Sequence, residues 1–519
     1  MEMLPLEPYI ADLSEDAALR LKSSLARTAR GSGVDLVTPF IPRSEDPNLG
    51  RTILRDELLP KVYSKYDWIN DAERTQASLI GAYSIQLPYV DRAESVERYF
   101  RTPMGNYDGS LLDRAVELFI SSLPQLDLSP LPLELAFNHM PTGTALGAPF
   151  FTSDKRYRYD VLRVAQYIHR MGWQYDVDPS QLFWRGQPRG IGEIPKQRVV
   201  WGYPHYMTII ELSLQEPMLQ VLREINAFVA WKTPDDVDMV VTGIIDRAVH
   251  PMLSIDFSSF DASLIRELIY GAFDAVEAMF ESRAKPQIRF VRDTLLNMRL
   301  LTPQGIMSGK RGAMPSGSAM TNLIDGFCQR IALIYIALRM GNQVEDHIVQ
   351  GDDGVVTFKG NWDLEDVEAI ALELNLKMSS DKGGVSEDRV YYLQNIHSSD
   401  FRVRGVCVRV RPIMRVLNGM MSYERLKEEW NSFDDTVRWW QQAEAAKYHP
   451  MFSNLVEFLY RHDRYSRTLD ASQVIQRAGG LDAAKSALDQ PQFPYGKESL
   501  DGINSFSVVR GLKRLRGRS

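Results

Sequence analysis

Four aspartates set the chemistry this sequence can do. Asp256 ends the apolar run MLSI, and Asp261 follows it closely in DFSSFD. Asp352 and Asp353 sit between two further apolar runs in EDHIVQGDDGVVTF. A carboxylate at a strand end points into a cleft from a rigid support, and two such strands side by side would bring Asp256 and Asp352 together. Hard Mg²⁺ ions prefer oxygen ligands and share bridging carboxylates. Two ions about 3.5–4 Å apart activate an attacking hydroxyl and stabilise a leaving oxygen, the minimum for nucleotidyl transfer. A lone Gly-Asp-Asp is more often a surface turn. Here both flanks of Gly351–Asp353 are strand-like, and a second apolar strand also ends in an aspartate.

Two other segments carry useful polar groups. In GAMPSGSAMTNLIDG, Ser316 and Gly317 precede a helical stretch with Thr321, Asn322 and Asp325. Glycine there permits close approach of another backbone, and the hydroxyls and amide could read sugar hydroxyls. The competing reading is a loop with an ordinary serine helix cap. In IPKQRVVWGYPHY, Lys196 and Arg198 stand two apart on an expected strand, hence on one face. Arg185 and Arg189 lie just upstream. Such cations can grip a triphosphate through charge-assisted bonds, although alone the pattern is more often a solvated strand face.

The elements that must position these groups follow from periodicity. The middle of the chain reads as the strand before Asp256, the helix LIRELIYGAFDAVEAMF, the acidic hairpin, and a helix over 364–376. That order predicts a small antiparallel sheet with helices behind it, an α+β fold. Further helices are expected in 76–122, in RYDVLRVAQYIHRMG closed by Gly172, in 207–231 and in 423–465. The proline-rich 123–132 reads as a loop. FRVRGVCVRVR, 401–411, alternates apolar and basic residues and predicts a half-buried strand pair bent at Gly405. Residues 1–60 read as irregular, apart from a short helix that carries Lys22, Arg27 and Arg30 into Gly31.

Composition narrows the class. A chain of 519 residues suits two to four subdomains, and 44% hydrophobic with 24% charged residues excludes a disordered one. Two cysteines exclude a disulfide scaffold, and the eight histidines are scattered without zinc-ligand spacing. A net charge of −7 argues against a uniformly basic surface. The basic residues are clumped, however, at 185–198, 402–415 and 510–518, and the local field decides what binds. The N-terminus has no basic-then-apolar leader and no run approaches a membrane span, so no membrane contact and a cytoplasmic location are expected.

The ordered set resembles the conserved motifs of viral RNA-dependent RNA polymerases. Within that class it most resembles those of picobirnaviruses, bisegmented double-stranded RNA viruses, with partitivirus polymerases second. DFSSFD resembles the first palm motif, PSGSAMTNLID the second, QGDDG the third, SSDKGG around Lys382 the fourth and YYLQN the fifth. KQRVVWG resembles the fingers motif that holds the incoming nucleotide, and the loop from Thr142 and Gly143 to Pro149 resembles the one that guides the template. Asp325 departs from the pattern, because many positive-strand virus polymerases carry asparagine there.

The resemblance implies a right-hand fold with a small antiparallel palm sheet backed by helices. Residues 1–60 would be an arm linking fingers and thumb; 61–245 and 276–308 would be fingers. Residues 246–275 and 309–400 would be palm, and 401–519 thumb with a basic tail. It implies RNA-templated synthesis from NTPs, replicating and transcribing a double-stranded RNA virus genome. Asp256, Asp352 and Asp353 would hold two Mg²⁺ ions, with Mn²⁺ a possible substitute, and Lys382 would act as general acid. Lys196, Arg198, Asp261, Ser316, Gly317, Thr321 and Asn322 would bind nucleotide. Arg185, Arg189, Thr142, Gly143, Arg402 and Arg404 would contact RNA. Capsid protein is an implied partner, and the virion interior and host cytoplasm the implied locations. The alternatives are a reverse transcriptase-like palm enzyme and an inactive RNA-binding structural protein.

Overall fold

The computed structural model describes residues 1–42, 46–101, 103–141, 143–379, 384–425, 430–480, 503 and 505–517. At its centre is an antiparallel four-stranded sheet. Its strands are β4 (Met252–Ile255), β7 (Val344–Gln350), β8 (Asp353–Phe358) and β9 (Gly384–Ser386), in the order β7-β8-β4-β9. β4 is internal and buried along its whole length, which is why it reads as an unbroken apolar run. β7 and β8 form the expected hairpin, with Gln350 opposite Asp353. Only Gly351 and Asp352 are left to turn the chain, and Gly351 takes φ +62°, which glycine adopts without steric cost.

Behind the sheet runs the helix Thr321–Arg339, apolar on nearly every side and buried almost from end to end. It packs against Gly109–Ser122, Arg266–Met279 and β7. A helix hydrophobic all round belongs in a core rather than on a surface. It is the rigid backing from which the hairpin is held.

A second sheet has five strands in the order β1-β6-β5-β2-β3. It joins β2 (Ser180–Gln187) and β3 (Lys196–Gly202) to the hairpin β5 (Leu300–Thr302) and β6 (Gly305–Ser308), and β1 (Glu2–Leu4) closes one edge. β10 (Arg389–Tyr392) and β11 (Asn395–Ser398) form a separate pair. The C-terminal part is helical: Ile413–Met421, Ser432–Glu444, Phe452–His462 and Ser507–Arg516 share one apolar core.

Three expectations need correction. Residues 1–60 are not irregular: besides β1 they form the helices Leu6–Ala11, Glu15–Arg30 and Pro47–Leu58. Glu15–Arg30 extends the expected short helix, while the patterns of Leu6–Ala11 and Pro47–Leu58 are short and interrupted by Pro8 and Gly50. Second, 401–411 is no strand pair. Arg404 and Gly405 both take left-handed φ, making a tight turn flanked by a single bridge, Val403 to Val406. The alternating arginines serve ion pairing instead: Arg409 is buried and bonds Asp235 and Asp238, while Arg402 chelates Asp246. Third, the basic C-terminal segment is largely a packed helix, with Val508, Val509 and Leu512 buried.

The helical C-terminal part is anchored through one carboxylate. Glu73, fully buried on the helix Asp67–Ser78, accepts the N–H groups of Ile413 and Met414 at 2.6 and 2.9 Å. It thereby satisfies the free donors at the start of the helix Ile413–Met421. Glu73→Ala strands those donors in an apolar interior and is expected to cost about 2–4 kcal/mol. Thermal unfolding checks this; a midpoint moved by less than about 1 °C would remove the role.

Candidate active site

The site forms where β4 and the β7–β8 hairpin end side by side. Ile255 pairs with Gly354, so Asp256 and Asp353 continue from adjoining strand ends, and Asp352 is the preceding turn residue. Asp256 is buried, while Asp352 and Asp353 are half-buried. After Asp256 the backbone breaks sharply: Ser259 takes φ +55°, and a single helical turn, Phe260–Ser263, follows. That kink carries Asp261 back toward the same cleft. A serine in this conformation costs energy, as backbone at functional sites often does.

The cleft concentrates negative charge. Burial pushes the Asp261 carboxyl up to about 6, the charge of Asp352 adds to this, and Arg198 opposes it. Asp325, buried on the helix Thr321–Arg339, is pushed well above the usual carboxylate range by burial and by the charges of Asp261 and Asp352. A hydrogen bond between the two side chains raises Asp325 further and lowers Asp261. A neutral carboxyl has the outline of an amide and, like one, can donate. An aspartate can thus serve at the position where related motifs carry asparagine.

The helix Thr321–Arg339 also braces the hairpin turn from below. Gln329 Nε2 donates to the Asp352 carbonyl at 2.7 Å. Gln350 Nε2 donates to Asn322 Oδ1 at 2.7 Å, and the Asn322 amide lies against Gly351. Asn322, Asp325 and Gln329 share one helix face through their spacing. The structure thus places Asn322 beside the turn, bonded to the Gln350 side chain and exposed to the cleft side of the helix start.

The preceding loop is pinned on three sides. Met314 N donates to the Asp261 carbonyl at 2.7 Å, and Thr321 Oγ1 donates to the Pro315 carbonyl at 2.8 Å. Ser316 Oγ donates to the Val199 carbonyl at 3.3 Å. A Cβ on Gly317 would stand 1.7 Å from the Trp201 carbonyl oxygen, so only glycine fits there. Ser316, Gly317 and Thr321 are therefore brought to the site, against β3.

β3 supplies the cations. Lys196 and Arg198 are exposed on one face, and Gln197 points the other way into bonds with Leu87, Ile85 and Arg92. Arg198 lies close enough to Asp261 to lower its pKa. Arg185 stands directly across the sheet from Arg198 and pairs with Glu424 at 3.1 Å. Arg189 is exposed in the loop between the strands. Gly143 takes φ +76° in an open loop, which returns through Gly147 to pack on the Tyr203 carbonyl. Arg402 is engaged by Asp246, away from this cluster, and Arg404 is exposed at its turn. Thr142 and Lys382 lie outside the described residues. The chain leading toward Lys382 docks on the site, since Ser379 N donates to the Asp256 carbonyl at 2.7 Å.

Three residues here carry no motif signal. Gln329 braces the turn. Tyr99 is buried beside Asp261, Arg198 and Asp325, and its hydroxyl is raised well above its usual range by burial and the nearby carboxylates. Glu211 is fully buried under the 316–320 loop, and burial pushes its carboxyl up to about 7.

A family model for viral RNA-dependent RNA polymerases matches residues 119–449. The chain belongs to that family. The polymerase is 26% identical over 494 residues to a potential RNA-dependent RNA polymerase of a human picobirnavirus, covering 88% of this chain and 90% of the relative. It is 29% identical over 304 residues to the RNA-directed RNA polymerase of Cryptosporidium parvum virus 1, covering 54% and 55%. Its fold matches a crystal structure of a human picobirnavirus RNA-dependent RNA polymerase with a TM-score of 0.81 at 22% identity, covering 96% of this chain and 97% of that one. The right-hand polymerase fold and the palm sheet expected from sequence are thereby shown. The polymerase is an RNA-directed nucleotidyltransferase, and neither alternative reading is favoured.

Among the described residues, no three acidic, histidine or cysteine side chains form a ready-made metal cage. Mg²⁺ needs none, because it keeps waters and takes substrate phosphate oxygens beside one or two carboxylates. Hard carboxylate oxygens with excess negative charge suit a divalent cation; at Asp261 and Asp325 the charge of Asp352 adds to the rise that burial causes.

Asp325→Asn keeps a donor to Asp261 and is expected to hold kcat/KM for NTPs within about threefold. Asp325→Leu, which leaves Asp261 without that donor, is expected to cost about tenfold or more. Single-nucleotide incorporation separates the two; equal loss in both would mean that the proton itself is used.

Proposed function

We propose that this polymerase replicates and transcribes the double-stranded RNA genome of a virus, with Asp256 and Asp352 as its central metal ligands. The observation that carries this reading is the juxtaposition of β4 and the hairpin, which sets Asp256, Asp352 and Asp353 on adjoining strand ends. Polymerases of this family work on RNA and NTPs with divalent ions. In our reading the ions are two Mg²⁺, with Mn²⁺ able to substitute, held by Asp256 and Asp352 and supported by Asp353. Bound there, they would lower the pKa of the 3′-hydroxyl of the growing strand and neutralise the triphosphate.

The chain's own groups do the rest. Arg198 and Lys196 face the triphosphate from β3, where fixed cations stabilise charge as it moves to pyrophosphate. Lys382 donates the proton that pyrophosphate takes up. Asp261, held by Asp325, meets the sugar 2′-hydroxyl beside Ser316, Gly317 and Thr321. Asn322 stands with them as a nucleotide contact. Thr142 and Gly143 guide the template, and Arg185 and Arg189 contact backbone phosphates, which orient RNA without reading its sequence. Arg402 and Arg404 contact RNA from the later turn, where Arg402 also pairs with Asp246.

We assign 61–245 and 276–308 to fingers, 246–275 and 309–400 to palm, and 401–519 to thumb. Residues 1–60 are the link between them, a reading supported by β1 on β6 and by Thr38 on Met420 and Met421. Capsid protein is the partner we propose, with the virion interior and host cytoplasm as the places of work. No helix among the described residues is long and apolar enough to cross a membrane.

Asp352→Asn should abolish labelled NTP incorporation on a single-stranded RNA template with Mg²⁺, while RNA binding and unfolding temperature stay unchanged. Substantial residual synthesis would overturn the metal assignment. Lys196→Ala should raise KM for NTPs about tenfold, the scale of one lost charged hydrogen bond, with little change in RNA affinity. Unaltered kinetics across NTP concentrations would remove that residue from the triphosphate site.

A further inference from the structure

The helix His205–Leu222 lies under the loop 316–320 and reaches it with two polar side chains. Glu211 Oε2 accepts the N–H of Ala319 at 2.8 Å. Gln215, one helical turn on, donates Nε2 to the carbonyl of the same residue at 2.6 Å. The two side chains hold both backbone polar groups of Ala319, the residue that follows Ser318 and precedes the helix Thr321–Arg339. Both are buried. Neither belongs to a motif, and no cation pairs with Glu211 among the described residues.

Such an arrangement is costly. A carboxylate out of water loses several kcal/mol unless hydrogen bonds replace hydration. The raised Glu211 carboxyl records that penalty, with the Ser318 and Tyr203 hydroxyls and the Ala319 and Met320 amides opposing it. A glutamate buried only for packing would be better replaced by leucine. What this glutamate does is fix one peptide, and that peptide ends the loop bearing Ser316 and Gly317.

The remaining fastenings of the loop say what is gained. Its start is tied to Asp261 through Met314, and its middle to Val199 and Trp201 of β3. Its end is tied to Glu211 and Gln215. The distance between the Ser316 hydroxyl and Asp261, the groups that face the sugar, is therefore set jointly by palm, β3 and this helix.

We infer that Glu211 and Gln215 are positioning residues for ribonucleotide selection, acting by clamping the Ala319 peptide so that the Ser316–Gly317 loop keeps its place beside Asp261. The inference rests on the reading of that loop as the sugar-facing element.

The test uses single-nucleotide incorporation by the full chain, measuring kcat and KM for an NTP and its 2′-deoxy analogue. The variants are Glu211→Ala, Glu211→Gln, Gln215→Ala and Ser316→Ala. Glu211→Ala is expected to raise KM for the NTP about tenfold and to reduce the ribose preference in the same direction as Ser316→Ala, one hydrogen bond to a charged group being worth about that factor. Glu211→Gln retains an acceptor for Ala319 N–H and is expected to stay within about threefold. Should Glu211→Ala fail to fold, Gln215→Ala removes the other half of the clamp and is read in the same way. A fall in kcat alone, with KM and ribose preference untouched, would show a merely structural glutamate and overturn the inference. An unchanged ribose preference in Ser316→Ala would overturn instead the reading of the loop, whatever the clamp variants do.

Discussion

Like charges do not gather unaided. Asp256, Asp261, Asp325 and Asp352 converge on one cleft, and Arg198 opposes their charge at Asp261. Everything around the cleft can be understood as what resists that repulsion. The central strand is buried on both faces, the hairpin turn is braced from below, and the helix behind is apolar all round. Burial of this kind contributes about 25 cal/mol for each Å² of apolar surface. The carboxylates can be held together because they are tied to strands and a helix whose packing cannot relax without opening the core. One of them, Asp325, is raised well above the usual carboxylate range, and a hydrogen bond joins it to Asp261.

How much of this the sequence carried depends on whether the signal is local. β4, the hairpin, and the helices after Asp261 and Thr321 were legible because each follows from the periodicity of adjacent residues. The acidic positions were legible because chemistry demands carboxylates at strand ends. Glu211, Gln329 and Tyr99 were not, because their partners lie about twenty to two hundred residues away, and nothing beside them marks a buried polar group as a brace. Charge alternation in 401–411 misled for the same reason. Arg402 and Arg409 answer to Asp246 and Asp238, and so to a helix far upstream rather than to solvent on one strand face. The first sixty residues were underread because the helices Leu6–Ala11 and Pro47–Leu58, unlike Glu15–Arg30, are short and draw their stability from docking rather than from their own propensity.

Close backbone contact joins the site's separate pieces. Gly317 meets the Trp201 carbonyl, and Gly147 meets that of Tyr203, so the end of β3 is gripped between two loops. A methyl group at either position would collide with a carbonyl oxygen, that of Trp201 within β3 or that of Tyr203 just past its end. The loop expected to guide the template and the loop expected to meet the sugar are thereby fixed to a common strand, two residues apart.

Arg51 carries a consequence of another kind. It is wholly buried, chelates Asp35 from nearby in sequence, and finds a distant second partner in Ser422. Thr38 and Leu36 likewise bond to the stretch Met420–Tyr423. On a ribosome, the first of these groups emerges long before the last. Helices made early must wait, with a guanidinium and several backbone groups still in water, until the helix Ile413–Met421 is synthesised and brought back to them. The polymerase is thus closed by segments made far apart in time, and the nascent chain stays open until the later one arrives.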